Sequence, residues 1–540
     1  MFEQNYGVVY TPSTLAEFTA ALLKRTSENF STGTILDPSS GECALLTAAK
    51  KIFGDNWSYC GIDVDADAVQ HTKKTFRIAL NDAILPCDSN GNTFSYWKKN
   101  LPEINAIIAN PPWSTEKIYE KSKLAAAGFT LISGQYDSYV LFIELAYNIL
   151  CEHGTMAFII PDSLFDAQNE QLRRFLVKNT KIRIIARLGE KIFNGVNRST
   201  TVIVCQKDFP TVEDETICFR LSTDARRDYL SGKGTLLDFF DKSCHRVKQS
   251  RFSQNNACNF DIDTRRDEES LLKKIASKKI NWQKTFTFGR GVEISKSGKV
   301  VYCPVCGRAQ GYTKKQLSVG IKSCAYCGAK IEVDAKTIQN IVFTSSNSGC
   351  VPIYVGEHIR RYETRGKYYI QSNINGINYK NRTLYTSPKL LIRKTGLGIY
   401  STIDYTDSLT SQTVYILKVA QKDTSVPLEY YLALLNSRVI YYYYLKVYGE
   451  NEWKSHPYLT KKVIYSLPIR PYSPDTCDKQ IVHLARELME SYNYQKDLEL
   501  EKRIMQKYQL SEQEVRLIAK EMQALPNLSA INNMKMESFN

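Results

Sequence analysis

The sequence predicts an α/β fold with a doubly wound sheet over residues 1–210, then a β-rich domain and a helical end. Three observations carry this. Short apolar runs alternate with helical stretches from Ser13 to Lys207, the pattern of parallel strands joined by helical crossovers. The alternation stops near Phe209-Pro210. Charge then changes: residues 1–210 carry 21 basic and 22 acidic side chains, residues 211–470 carry 41 and 23, and residues 471–540 carry 9 and 11. The formal excess of +15 therefore belongs to the middle of the chain. A basic domain beside a neutral one points to a polyanion, with nucleic acid first; a solvated lysine-rich surface is the plain alternative.

At 540 residues the chain is long enough for about three domains. We expect 1–210, 211–475 and 476–540, with roughly 525–540 a loose tail. An apolar content of 43% supports ordinary cores, and no window approaches a membrane span. The start, Met1-Phe2-Glu3-Gln4, has neither a basic cluster nor an apolar stretch, so no cleaved secretory signal is expected and the default compartment is the cytoplasm.

The elements follow in order. STLAEFTAALLK (13–24) has helical spacing, with Ser13 a candidate N-cap. TGTILDPSSG reads as a strand ending in a turn, ECALLTAAKKIF as a helix, WSYCGIDVD as a strand and ADAVQHTKKTFRIAL as a helix. INAIIANPP is a strand running into a rigid loop, DSYVLFIELAYNIL a helix, GTMAFIIPDSLF a strand and loop, and NEQLRRFLVKN a helix. IRIIARLGE and TTVIVCQK close the pattern as strands. Beyond it, KLLIRKTG and TVYILKV read as strands, and residues 478–523 return to helical spacing.

In an open α/β sheet ligands bind beyond the carboxyl ends of the strands. The first such end carries Asp37-Pro38-Ser39-Ser40-Gly41, a small-residue turn that lets a ligand approach the backbone. Asp63, ending the second strand, can accept both hydroxyls of a ribose. Asp82, in LNDAIL, can accept from an adenine amino group or simply cap a turn. Together they suit an adenosine-containing ligand without phosphates, since no GxxxxGK[ST] motif stands at this loop.

The next strand ends in Asn110-Pro111-Pro112-Trp113. A base amino group is a poor nucleophile because its lone pair is delocalised into the ring. Two acceptors aimed at its hydrogens localise that pair, and the Asn110 side chain and the Pro111 carbonyl are suited to this. The prolines stiffen the loop and Trp113 offers a stacking face for an extruded base.

These motifs resemble the S-adenosylmethionine-dependent DNA adenine-N6 methyltransferases of the gamma arrangement. Gly7-Val8-Val9-Tyr10-Thr11-Pro12 resembles the motif that helps hold the methionine part of the cofactor. DPSSG, GIDVD, NDAIL and NPPW resemble the four motifs that follow in that family. The resemblance implies a Rossmann-like methyltransferase domain, S-adenosylmethionine as cofactor and double-stranded DNA as partner, without a catalytic metal. It places Phe193 where TaqI-type enzymes carry a second aromatic against the flipped base; a core phenylalanine before a strand is the equal alternative. One departure stands out: the family's second glycine of DPSSG-x-G is Cys43 here.

Cys303-Pro-Val-Cys306 and Cys324-Ala-Tyr-Cys327, each followed by glycine and 17 residues apart, have zinc-ribbon spacing. Four thiolates close a tetrahedron, so a structural zinc is expected at 300–330. Around it, GEHIRRYE, SPKLLIRKTGLGIYSTID, YLALLNSRVIYYYYLKVYG (as a helix) and KKVIYSLPI (as a strand) resemble the TaqI-type C-terminal specificity domain. This makes Arg360, Arg361, Lys389, Arg393 and Lys394 candidate DNA contacts. The resulting expectation is a site-specific adenine-N6 methyltransferase of restriction-modification or phage defence, compatible with a separately encoded restriction or defence subunit. Cytosine-N4 methylation, methylation of protein or RNA, and a catalytically silent DNA-binding subunit remain open as alternatives.

Overall fold

In a computed structural model of the chain, nine strands build one sheet: β1 (Gly33–Asp37), β2 (Trp57–Asp63), β3 (Arg77–Leu80), β4 (Ile104–Ala109), β5 (Leu150–Pro161), β6 (Lys181–Gly189), β7 (Thr200–Gln206), β8 (Glu215–Arg220) and β9 (His245–Lys248). The structure describes residues 11–89, 91–113, 119–134, 136–193, 198–294, 298–420, 425–448, 458–525, 529 and 531–536. The strand order is β3-β2-β1-β4-β5-β7-β6-β8-β9. Strands β1 to β5 are mutually parallel where they pair, and β7 runs antiparallel between β5 and β6. The order reverses between β1 and β4, which is the crevice where such sheets take ligands.

The sheet is buried on both faces, and β4 shows how. Ala106 and Ile108 join a core with Leu15, Leu46 and Phe240, whereas Ile107 and Ala109 join another with Tyr139, Leu145 and Trp97. A strand covered twice reads as a continuous apolar run, as INAIIA does. The first face is covered by α1 (Ser13–Thr26) and α2 (Ala44–Phe53). Short α3 (Ala66–Thr72) follows β2, and α4 (Thr93–Asn100) and α5 (Lys121–Ala126) flank β4 in sequence. The second face takes α6 (Tyr139–Ile149) and α7 (Glu170–Asn179).

Several expectations are corrected. The N-cap of α1 is Pro12, so Ser13 lies inside the helix. ADAVQHTKKTFRIAL is not one helix: α3 stops at Thr72 and Arg77–Leu80 becomes the edge strand β3, pairing with Cys60–Asp63. Its half-exposed residues lack the strand signal of a buried run. The sheet also continues past Pro210. β8 pairs with β6 and β9 with β8, and the first compact unit comprises Met1–Glu269 with Leu445–Ser455.

The second unit comprises Ser270–Tyr444 and His456–Asn540. It contains two four-stranded sheets, one built on Phe286–Arg290, Val414–Val419, Lys389–Arg393 and Ser401–Asp404. KKVIYSLPI is a helix at Lys461–Ser466 rather than a strand, because the Thr460 side chain caps it by accepting from the Val463 amide. The tyrosine-rich stretch forms two helices, Leu428–Leu435 and Arg438–Tyr448. In the expected tail, Ile531, Met534 and Met536 are buried, and Arg438 donates to the carbonyls of Asn533 and Met534. No helix among the described residues is long and apolar enough to cross a membrane.

Candidate functional site

The turn after β1 is folded around its own backbone. Asp37 is 1% exposed, and its carboxylate accepts from the Ser39 amide at 3.0 Å. Burial pushes its pKa up to about 8, partly opposed by that hydrogen bond and reinforced by Asp63. Ser40 donates from its amide to Ile62 of β2 at 3.1 Å, and Gly41 donates to Asp63 Oδ2 at 2.6 Å. Asp63 Oδ1 accepts from the Asp65 amide at 2.9 Å. The two strand ends are thus locked together through Asp63. A Cβ on Gly61 would lie 2.8 Å from Ser40, so only glycine lets β2 approach this closely. Gly41 has φ +45 and nothing within 4 Å of where a Cβ would stand, leaving its backbone open. Cys43, 1% exposed, has φ 61 and ψ 28, the left-handed conformation that glycine adopts at no cost.

Asp82 follows β3 and closes a turn, accepting from the Ile84 and Leu85 amides at 2.8 and 3.1 Å. The Tyr119 hydroxyl lies 3.1 and 3.0 Å from its two oxygens.

Asn110 stands directly after β4, and its Nδ2 donates to the Thr11 hydroxyl at 3.0 Å. Pro12 caps α1 beside it, whereas Tyr10 lies outside the described residues. Pro111 is buried and Pro112 half-buried. Ser138, at the start of α6, donates to the Pro112 carbonyl, and Arg198 donates to the Trp113 carbonyl at 2.5 Å. The Trp113 indole donates to the Ile159 carbonyl at 3.3 Å and packs edge-on against Phe193, ring centroids 5.3 Å apart at 89°. Phe193 is only 2% exposed. Beside this loop, Asp137 is 4% exposed and accepts from Ser163 at 2.5 Å; burial raises its pKa.

The residues expected at strand ends therefore stand at the carboxyl ends of β1, β2, β3 and β4, around the order reversal. Sequence reasoning missed Tyr119, Ser138 and Arg198, which hold the loop and the Asp82 carboxylate. Each is a lone polar residue in an unremarkable context, and only the fold brings it there.

In the second unit the four ribbon sulfurs lie within 4.8 Å of one another, with Cys303 and Cys327 Sγ 3.5 Å apart and Cys306 and Cys324 Sγ 3.7 Å apart. Four sulfurs each ~2.3 Å from a tetrahedral zinc are ~3.8 Å apart, so the donor set fits that ion. Gln310 donates to Cys324 Sγ at 2.9 Å. Two of the candidate DNA contacts are instead interior. Arg361, 3% exposed, makes a two-pronged pair with Asp497, both contacts 2.9 Å. Lys389, fully buried, pairs with Asp404 at 2.7 Å. Arg360, Arg393 and Lys394 are half-buried. Lys394 lies 5.9 Å from the ring centroids of Tyr415 and Tyr458.

Comparison with known proteins bears on both units. Residues 2–267 match the N-6 DNA Methylase family, and residues 351–469 match the TaqI-like C-terminal specificity domain. The chain is 24% identical over 220 residues to the Type II methyltransferase M.BstVI of Geobacillus stearothermophilus, covering 34% of this chain and 38% of that protein. It is 24% identical over 216 residues to the Type II methyltransferase M.TthHB8I of Thermus thermophilus, covering 38% and 46%. The matches thus span less than half the length of these relatives. In fold it is similar to a nuclease-deletion mutant of the Type ISP restriction-modification enzyme LlaGI (TM-score 0.52, 16% identity, 92% of this chain and 56% of that one). It is also similar to the ATP-dependent Type ISP restriction-modification enzyme LlaBIII bound to DNA (TM-score 0.51, 11% identity, 90% and 39%).

Proposed function

We propose that this chain, which joins an N-6 DNA methylase domain to a TaqI-like specificity domain, methylates adenine N6 at a specific sequence in double-stranded DNA, using S-adenosylmethionine. The observation that carries the reading is the NPPW loop at the order reversal, with the Asn110 amide turned by Thr11 and the Pro112 and Trp113 carbonyls held by Ser138 and Arg198.

When bound, S-adenosylmethionine supplies an electrophilic methyl group on a sulfonium. The residues around β1 and β2 suit it. The open backbone at Gly41 leaves room for a ligand, and Asp63, accepting two amides, retains lone pairs for ribose hydroxyls. Asp37, Pro38, Ser39 and Gly41 would line its binding turn, Thr11 and Pro12, with Tyr10 by resemblance, would hold the methionine end, and Asp82 would accept from the adenine amino group.

The target adenine is flipped out and stacks on Trp113, against which Phe193 packs at right angles. Asn110 Oδ1 and the Pro111 carbonyl accept the two amino hydrogens and concentrate the lone pair on nitrogen. Pro112 keeps the loop from relaxing, and the Ser138 and Arg198 hydrogen bonds hold the Pro112 and Trp113 carbonyls in place. Positioning therefore supplies much of the rate. The four ribbon cysteines hold a structural zinc, which closes the ribbon without an open coordination position.

The restriction-modification wording in the names of its structural neighbours supports a role in restriction-modification; phage defence, a cytoplasmic location and a separately encoded restriction or defence subunit extend the same proposal. Single-molecule modification sequencing of DNA from cells expressing the protein, beside Asn110→Ala, tests the reading. We expect one motif carrying N6-methyladenine, lost in Asn110→Ala. N4-methylcytosine would overturn the base assignment, and no modification the activity.

A further inference from the structure

We propose that the zinc ribbon is a DNA-backbone clamp, gripping phosphates without reading sequence. This rests on the DNA methyltransferase reading above. Between Lys299 and Asn340 the sequence places seven basic residues against two acidic ones, Glu332 and Asp334. Asp334 is engaged within its own turn, accepting from the Lys336 and Thr337 amides at 2.8 and 2.9 Å. Lys314, Lys315 and Lys330 are exposed, and none is ion-paired within the chain among the described residues.

The hairpin register separates the ribbon's inner and outer faces. Lys322 pairs with Ile331 and Ser323 with Lys330. Ile331 is 1% exposed and packs with Cys303 and Cys324, so Lys330 is on the opposite, outward face. Lys314 and Lys315 open the helix Lys314–Val319, which has no buried residue. The inner side of the ribbon is thus spent on closing the metal-binding core, while the outer side carries charge with no internal use.

The knuckle tips add a second observation. Val305 and Tyr326, inside the two CxxC pairs, are 74% and 52% exposed. The Arg308 guanidinium lies 4.4 Å over the Tyr326 ring, which holds the cation at the surface. Unpaired lysines and a braced arginine on the same ribbon match phosphodiester groups, which take point charges without a fixed donor geometry.

The test is equilibrium binding of duplex DNA carrying the methylated motif, measured against salt, for the full chain and for Lys314→Gln/Lys315→Gln/Lys330→Gln. A control carries Lys98→Gln/Lys479→Gln/Lys520→Gln, which removes the same charge elsewhere. Zinc content of each variant establishes that the ribbon is intact. We expect the ribbon variant to bind at least about tenfold more weakly near 0.15 M salt, with the log–log salt slope flattened by about two to three. The methylated motif and the rate at saturating DNA stay unchanged. Equal affinity and slope in ribbon variant and wild type would overturn the proposal, as would an equal loss in the control or a changed motif. A wild-type chain that binds no DNA would instead overturn the underlying reading.

Discussion

The Asn110 amide donates to the Thr11 hydroxyl at 3.0 Å across 99 residues of sequence, tying the segment before α1 to the loop after β4. With Nδ2 engaged, the amide has one orientation, and its Oδ1 is turned away from Thr11. Thr11→Val removes this partner while keeping the shape. A neutral hydrogen bond of about 1 kcal/mol predicts a fall in kcat of roughly three- to tenfold. Thr11→Ser should restore it. Steady-state methyl transfer at saturating DNA and cofactor checks both, and equal kcat in Thr11→Val and wild type would remove Thr11 from the orienting role.

Cys43 adopts the left-handed conformation that glycine takes without strain. A Cβ there costs about 1–2 kcal/mol, but its buried thiol recovers about 0.8 kcal/mol by burial. Cys43→Gly should therefore leave Tm within a few degrees of wild type and bind S-adenosylmethionine at least as tightly. Cys43→Val, β-branched at positive φ, should lower Tm clearly. Titration calorimetry and thermal melts separate the two. Weaker cofactor binding in Cys43→Gly, or an unchanged Tm in Cys43→Val, would contradict this account of the turn.

Much of this was legible in the sequence because the motifs sit where strand periodicity ends. Asp37, Asp63 and Asn110 each terminate an apolar run, so a doubly wound sheet puts them on one edge. What was not legible depends on contacts between distant segments. Arg198 and Trp113 are 85 residues apart, and nothing in GVNRST marks the arginine as a clamp. Arg361 and Lys389 are candidate DNA contacts because they fall in stretches that resemble a specificity domain, and burial with Asp497 and Asp404 is invisible until helices and strands pack. Short β3 failed for a different reason: an edge strand of four half-exposed residues has too little periodicity to compete with the helix before it.

The Asp37 carboxyl gives the free protein a pH signature. Burial raises its pKa from 3.8 to about 8, with Asp63 adding to the rise and the Ser39 amide opposing it. A group raised in the folded state stabilises fully below its unfolded pKa, and that contribution disappears as pH climbs to the folded value. Cofactor-free protein should thus lose stability between about pH 4 and pH 8 from this group. Asp37→Asn should flatten that part of the Tm-against-pH curve and melt higher than wild type near pH 8. Parallel curves for the two proteins would contradict the burial of the charge.

Zinc removal should unfold the ribbon locally. Its core is small, comprising Val301, Ile331, Val333, Cys303 and Cys324, and too little to hold two short hairpins without the ion. Chelation or Cys303→Ser should release one zinc per chain, lower Tm and expose the ribbon to proteolysis, while S-adenosylmethionine binding persists. Retention of full Tm after metal loss would show that the ribbon stands by its own packing.

Asp497 is the hinge of a buried charge network. It pairs with Arg361 at 2.9 Å and with Arg438 at 3.1 Å, and Arg438 also reaches Glu501 at 3.3 Å. Burial alone would raise the Asp497 pKa, but the two guanidiniums outweigh it and hold it below the usual carboxylate range. Such a pair is costly to break from one side, because the partner is left charged and dry. Asp497→Ala should cost about 3–5 kcal/mol. Arg361→Ala should cost less, since Arg438 still faces the carboxylate. Arg360→Ala, at a half-buried position next door, should leave Tm nearly unchanged. Melting curves rank the three, and DNA affinity measured well below each Tm distinguishes folding from contact. If Arg361→Ala kept its Tm and lost only DNA affinity, the residue would be a contact after all; the two-pronged pair with Asp497 predicts the reverse.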